Sequence, residues 1–281
     1  SAVFFWFILT GDLNYYRIPV GQSLGLQTEA TDVKTLRSLC HLLAGQAAEL
    51  RPQCEEDSEG VFASSVTYAE LAETATGAVT ALDEIYGVQL FDLAGQTRPK
   101  AMYFSEVMSY IQLTGVIFPY ISEPNINVHQ PAYGISSTMC HELSHICGFM
   151  REDEANFIAF LACVESDDST FQYAGYLSVL NYVANDLYKT RLADPDSYAA
   201  AREAVHPLQV LQQVQEDNIF VTEEQWERIN GKAVVNTETV DSVSDTLTNA
   251  SLKLNGVSDG MISYNRVVEL LLQWYGEKEE F

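Results

Sequence analysis

His141-Glu142-Leu143-Ser144-His145 sets two imidazoles and a carboxylate at the HExxH spacing, and each position has a chemical reason. A helix turns once every ~3.6 residues, so residues four apart stack on one face. His141 and His145 can therefore point ring nitrogens at one Zn²⁺, at about 2.0–2.1 Å. Glu142 lies one step round the helix, beside the metal rather than on it. There its carboxylate can take a proton from an attacking water and pass it to a leaving amine.

The surroundings suit a helix. Gly134-Ile135-Ser136-Ser137-Thr138 offers N-cap candidates before the motif, and Gly148 is a C-cap candidate after it. Met139, Leu143 and Ile146 fall at i, i+4 and i+7 and give that helix an apolar back. An ordinary helix with core histidines would show the same five letters, and only the context favours the metal reading.

A catalytic zinc site needs a third protein ligand, with water in the fourth position. The three-histidine pattern HExxHxxGxxH is excluded, because position 151 is Arg151. His129 and His206 have no motif around them and read as surface or loop histidines. The acidic run Arg151-Glu152-Asp153-Glu154-Ala155-Asn156 is the better source. It opens a segment, Ala155 to Val164, that is apolar on nearly every side and so reads as a buried helix. Acids in a first turn also suit the positive end of the helix dipole, which is the reading given to Glu152 and Asp153. Glu154 shares a stripe with Phe157, Ile158 and Leu161, so it is expected to point inward as the third ligand. Glu152 and Glu154 are two apart and face opposite sides, so only one of them can reach the metal.

Glu154-Ala155 in a second helix after HExxH resembles the gluzincin arrangement of thermolysin-like peptidases, whose third ligand is a Glu on the next helix of the site. The chain also resembles a bacterial family of uncharacterised membrane-anchored HExxH proteins, a domain of unknown function. The shared residues include Leu13-Asn14-Tyr15-Tyr16-Arg17, Thr114 to Pro119, Glu123-Pro124-Asn125-Ile126-Asn127, the HExxH motif, Gly148-Phe149 and Arg151 to Phe157. They continue through Tyr173-Ala174-Gly175-Tyr176 and Ser263 to Val268. The family usually has Ser where this chain has Ala174. The resemblance implies a zinc-peptidase-like fold with no known substrate, and membrane spans upstream of the domain. It therefore implies a domain tethered at the extracytoplasmic face of a bacterial membrane. Val3 to Leu9 (VFFWFIL) is too short for a span of about 20 apolar residues. It reads either as a buried strand or helix end, or, as the resemblance favours, as the end of a span, with residues 11–281 forming one domain.

The chain has 281 residues, 47% of them hydrophobic, enough for a sizeable core. Its formal charge of −24, from 15 basic and 39 acidic residues, argues against nucleic acid and anionic lipid as partners. Peptide or protein is the expected substrate, and an acidic rim would favour cationic peptides. Of the five cysteines, Cys140, Cys147 and Cys163 read as small core residues. Cys40 and Cys54 would pair only in an oxidising compartment.

Helical spacing marks residues 30–50, 66–86, 171–193, 197–216, 223–229, 237–255 and 263–276. Residues 101–111 are ambiguous between helix and strand. Gly115 to Ile121 reads as a strand, and Pro119 suits a sheet edge. Such an edge before the HExxH helix can pair with an extended substrate backbone, or form a plain hairpin on the helix. The expected fold is α+β, predominantly α and zincin-like, with a sheet of three or four strands.

Stabilising the oxyanion of peptide hydrolysis calls for a hydrogen-bond donor. Tyr173 and Tyr176 are the candidates, beside Gly175. Asn156 and Glu123 are candidates for orienting His141 and His145 through their second ring nitrogens. The function expected is a zinc-dependent metallopeptidase. The rival from another class is a zinc-holding sensory or interaction domain that cuts nothing, although pure metal holding gives Glu142 no task.

Overall fold

The computed structural model describes residues 12–26, 32–110, 113–118, 122–218 and 266–277. The apolar run Val3 to Leu9 and the expected helices at 223–229 and 237–255 lie outside these residues, as does the stretch after Phe118 that holds Pro119.

The described chain is mostly helical, with one small sheet. Two long early helices, α1 (Val33–Leu50) and α2 (Tyr68–Tyr86), follow the sequence periodicity. Asp32 caps α1 by accepting from the Thr35 amide at 2.7 Å. Thr67 and Glu70 close a capping box on α2, and Gly87 ends it at φ 65°. The ambiguous stretch resolves into a two-residue strand β1 (Lys100–Ala101) and a short helix α3 (Ser105–Tyr110).

Strands β2 (Gly115–Phe118) and β3 (Glu123–Ile126) complete a sheet of order β1-β3-β2. β2 runs antiparallel to β3, with Gly115 opposite Ile126 and Phe118 opposite Glu123. β1 runs parallel to β3 and pairs only with Asn125 and Ile126. Pro124 can therefore sit in the middle strand, because the short β1 asks nothing of its missing N–H.

The motif helix α4 (Ala132–Ile146) and the next helix α5 (Glu152–Val164) pack side by side. They lie against the long helix α6 (Ser169–Ala193), and α2 contacts both α4 and α5. Phe157, Ile158, Phe160 and Leu161 of α5 are fully buried, as expected of a helix apolar all round. α7 (Pro195–Ala204), α8 (Gln212–Asp217) and α9 (Arg266–Glu277) finish the described chain. Asp194 both ends α6 and caps α7 through the Ser197 amide.

Two expectations give way. Residues 197–216 are not one helix: α7 stops at Ala204 because His206 precedes Pro207, and a residue before proline is pushed out of helical geometry. α4 starts at Ala132 with Pro131 at its N-cap, ahead of the serines and threonine expected to cap it. Ser137 instead donates to the Gly134 carbonyl, and Thr138 to Gln130. Gly148 does close α4. Its φ is +88°, its amide reaches His145 O at 2.9 Å, and Phe149 N reaches Ser144 O at 3.1 Å, which is a Schellman turn.

Candidate metal centre

The Schellman turn folds the chain back after His145, and α5 begins at Glu152 facing the histidines. His141 Nε2 lies 3.2 Å from Glu152 Oε2, and His145 Nε2 lies 3.8 Å from Glu152 Oε1. One ligand atom from each residue falls within 4.8 Å of the others. The other ring nitrogen of each histidine is occupied. His141 Nδ1 donates to Asn156 Oδ1 at 2.9 Å, and His145 Nδ1 donates to the Phe149 carbonyl at 2.7 Å. These bonds turn both Nε2 atoms toward Glu152, the usual way a protein orients metal-binding histidines.

Glu154 is where the sequence reading fails. It does point inward, but its Oε1 accepts from the Val20 amide at 2.6 Å. Two residues along a helix is a rotation of about 200°, so bringing Glu152 to the histidines turns Glu154 away. Burial pushes the Glu154 carboxyl up to about 7, with the Val20 bond opposing.

The charge balance of the cluster fits a cation. Burial works against a protonated His141, yet the bond to Glu152 and its charge push it up to about 9. Glu152 resists its own burial through His141 and is held at about 2. Burial and the neighbouring His141 both push His145 down, toward the neutral form that ligates metal. Protonated His141 supplies the positive charge that the half-buried Glu152 carboxylate faces. Two nitrogens with one carboxylate is also a zinc donor set, for which His141 would give up that proton.

Glu142 is buried beside this cluster, and its Oε2 has no hydrogen-bond partner among the described residues. Burial pushes its carboxyl up to about 8, with the Glu152 charge adding to the rise and His141 opposing it. Gly115 of β2 lies directly against it. A Cβ on Gly115 would come within 2.5 Å of Glu142 Oε1 and 2.9 Å of its Cγ and Cδ.

The cluster sits in a cleft of about 670 Å³ lined along one side by Leu113 to Ile117. The charged groups that line it, among the described residues, are His141, Glu142, His145 and Glu152. Tyr173 and Tyr176 do not line it. Tyr173 is fully buried and donates to Asp217 Oδ2 at 2.5 Å, and the Tyr176 ring packs edge-on against Phe160. The phenols that line the cleft are Tyr15, Tyr133 and Tyr182. Asn156 Nδ2 donates to the Tyr182 oxygen at 3.3 Å. Burial, then the Glu152 charge, push that phenol up to about 12, so it keeps its proton. No local sequence pattern singles out Tyr182, which reaches the cleft from two helices downstream. Of the proposed orienting residues, Asn156 holds His141 as expected. Glu123 does not reach the histidines and pairs with Lys100 at 2.7 Å.

The remaining side chains fall mostly as expected. Cys140, Cys147 and Cys163 are buried core residues, and Cys40 and Cys54 are free thiols. His129 and His206 are exposed.

Fold and site together define a mostly helical protein with an HExxH cluster at the foot of a cleft. The chain belongs to the family described as Protein of unknown function (DUF3810), whose model matches residues 1–272. No curated protein and no solved structure matches the chain.

Proposed function

We propose that the protein is a zinc-dependent peptidase of zincin-like, gluzincin-type arrangement, with zinc held by His141, His145 and Glu152. The observation that carries this is the convergence of both Nε2 atoms and the Glu152 carboxylate beside a buried Glu142 whose Oε2 has no hydrogen-bond partner among the described residues. A bound zinc would supply Lewis-acid polarisation of a scissile carbonyl. Glu142 takes the proton of the attacking water and delivers it to the departing amine. Its Oε2, without a hydrogen-bond partner among the described residues, is left to that task. β2 is the outer strand of its sheet and lines the cleft, so an extended substrate can add to it as a further strand, with a peptide bond laid beside Glu142. Tyr182 offers a protonated phenol to the developing oxyanion. The resemblance noted above supports an extracytoplasmic, membrane-tethered setting.

The test is a peptide-library digest with zinc-loaded parent and Glu142→Gln protein. The variant is expected to hold zinc as the parent does and to lose about 100-fold or more in cleavage rate. A variant that cleaves as well as the parent would contradict the assignment.

A further inference from the structure

The motif Leu13-Asn14-Tyr15-Tyr16-Arg17 has no role in the chemistry above, yet the fold brings it to the metal cluster. A short 3-10 turn, Asp12–Tyr16, precedes Arg17. The Arg17 guanidinium donates to the Cys147 carbonyl and stacks 4.1 Å over the Phe149 ring. Between those residues, a Cβ on Gly148 would meet Arg17 Nη1 at 3.0 Å and Asn14 Oδ1 at 3.2 Å. The Cys147-Gly148-Phe149 turn is therefore covered by Arg17 and Asn14. The same turn supplies the Phe149 carbonyl that orients His145.

Three residues further on, the Val20 amide bonds Glu154 in the first turn of α5. One segment thus grips the connection between α4 and α5 at both ends, with His145 just before it and Glu152 just after. Tyr15 of this segment lines the cleft itself.

From this we infer that residues 14–20 form a positioning element of the metal centre. Arg17 is its positioning residue, acting on His145 through the Cys147–Phe149 turn. The inference rests on the ligand set His141, His145 and Glu152. The Arg17 cation sits where the last carbonyls of α4 gather negative charge, so it is placed favourably against the helix dipole. Its planar face on Phe149 fixes the ring and, with it, the backbone that carries the His145 acceptor. The buried cores of α4 and α5 lie against α2 and α6, so loss of Arg17 loosens this turn without dissolving those helices.

The test compares parent, Arg17→Ala and Arg17→Lys by zinc affinity in a chelator competition and by the visible absorption of the cobalt(II) form. Far-ultraviolet circular dichroism and thermal melting of the metal-free proteins report the fold. Arg17→Ala is expected to keep the parent's helix content, to bind zinc roughly 10-fold more weakly, and to shift the cobalt absorption. Arg17→Lys keeps a cation but not the planar stack, and is expected to fall between them. A folded Arg17→Ala protein with parental zinc affinity and cobalt spectrum would overturn the inference. Should Arg17→Ala fail to fold, parental affinity in Arg17→Lys would overturn it equally. A parent that binds no zinc would instead overturn the ligand set itself.

Discussion

At the scale of single residues, the cluster is a problem in which group each nitrogen and oxygen faces. Asn156 handles two of these at once: its Oδ1 takes the His141 Nδ1 hydrogen, and its Nδ2 donates to Tyr182. That leaves the Tyr182 hydroxyl hydrogen for the cleft, so Tyr182→Phe is expected to lower kcat by roughly 10- to 100-fold. Zinc content should not change, which metal analysis beside steady-state kinetics would check. Unchanged kcat would remove Tyr182 from the chemistry. Tyr173→Phe, by contrast, takes a hydrogen bond from Asp217 in the core and belongs to stability. That His141 and His145 share a face with Glu142 beside them was readable from the spacing, because helical periodicity fixes what lies one turn away. Asn156 was one of two candidates for orienting them, and the other, Glu123, pairs with Lys100 instead. Glu152 was not readable. The choice between it and Glu154 depends on how the five residues from Cys147 to Arg151 turn, and no pattern in the sequence records that path. The stripe containing Glu154 correctly indicated burial, but burial against Val20 rather than beside the metal.

At the scale of elements, the decisive contact is between β2 and α4. Gly115 lets the strand approach so closely that the Glu142 side chain fills the space a Cβ would take. Gly115→Ala is expected to displace the Glu142 carboxylate and reduce cleavage by at least about 10-fold. A displacement of this kind far exceeds what positioned proton transfer tolerates. Zinc binding should survive, since none of His141, His145 and Glu152 touches that position in the same way. Full activity in Gly115→Ala would mean Glu142 does not need its present place. The long helices α1, α2 and α6 were legible from periodicity and their caps, and the β2 strand from its apolar run. The start of α4 was not, because Pro131 opens the helix without the side-chain cap that serine and threonine advertise. The break at His206 was available from Pro207, but the helical spacing of Tyr198 to Gln215 masked it.

At the scale of the whole molecule, α8 is drawn back onto the connection between α1 and α2 by one buried acid. Asp217 accepts from Arg51 Nε at 2.5 Å, from the Phe62 amide at 2.6 Å and from Tyr173, all in the interior. A buried ion pair so fully satisfied holds distant elements in one arrangement, and its next residue, Asn218, bonds Tyr133 at the cleft wall. No local pattern announces this network, whose partners are spread from residue 51 to residue 217. Among the described residues, the cleft lining holds neutral side chains apart from the cluster. No helix among the described residues is long and apolar enough to cross a membrane. The proposed metal ligands thus come from two helices joined by a short turn, which Arg17 and Asn14 cover. The most direct measurement is zinc bound per chain in purified parent, Glu152→Ala and Glu154→Ala proteins. One zinc in the parent and in Glu154→Ala, with a large loss in Glu152→Ala, is the expected result. Zinc retained by Glu152→Ala, or none in the parent after zinc is supplied, would contradict the three-ligand centre.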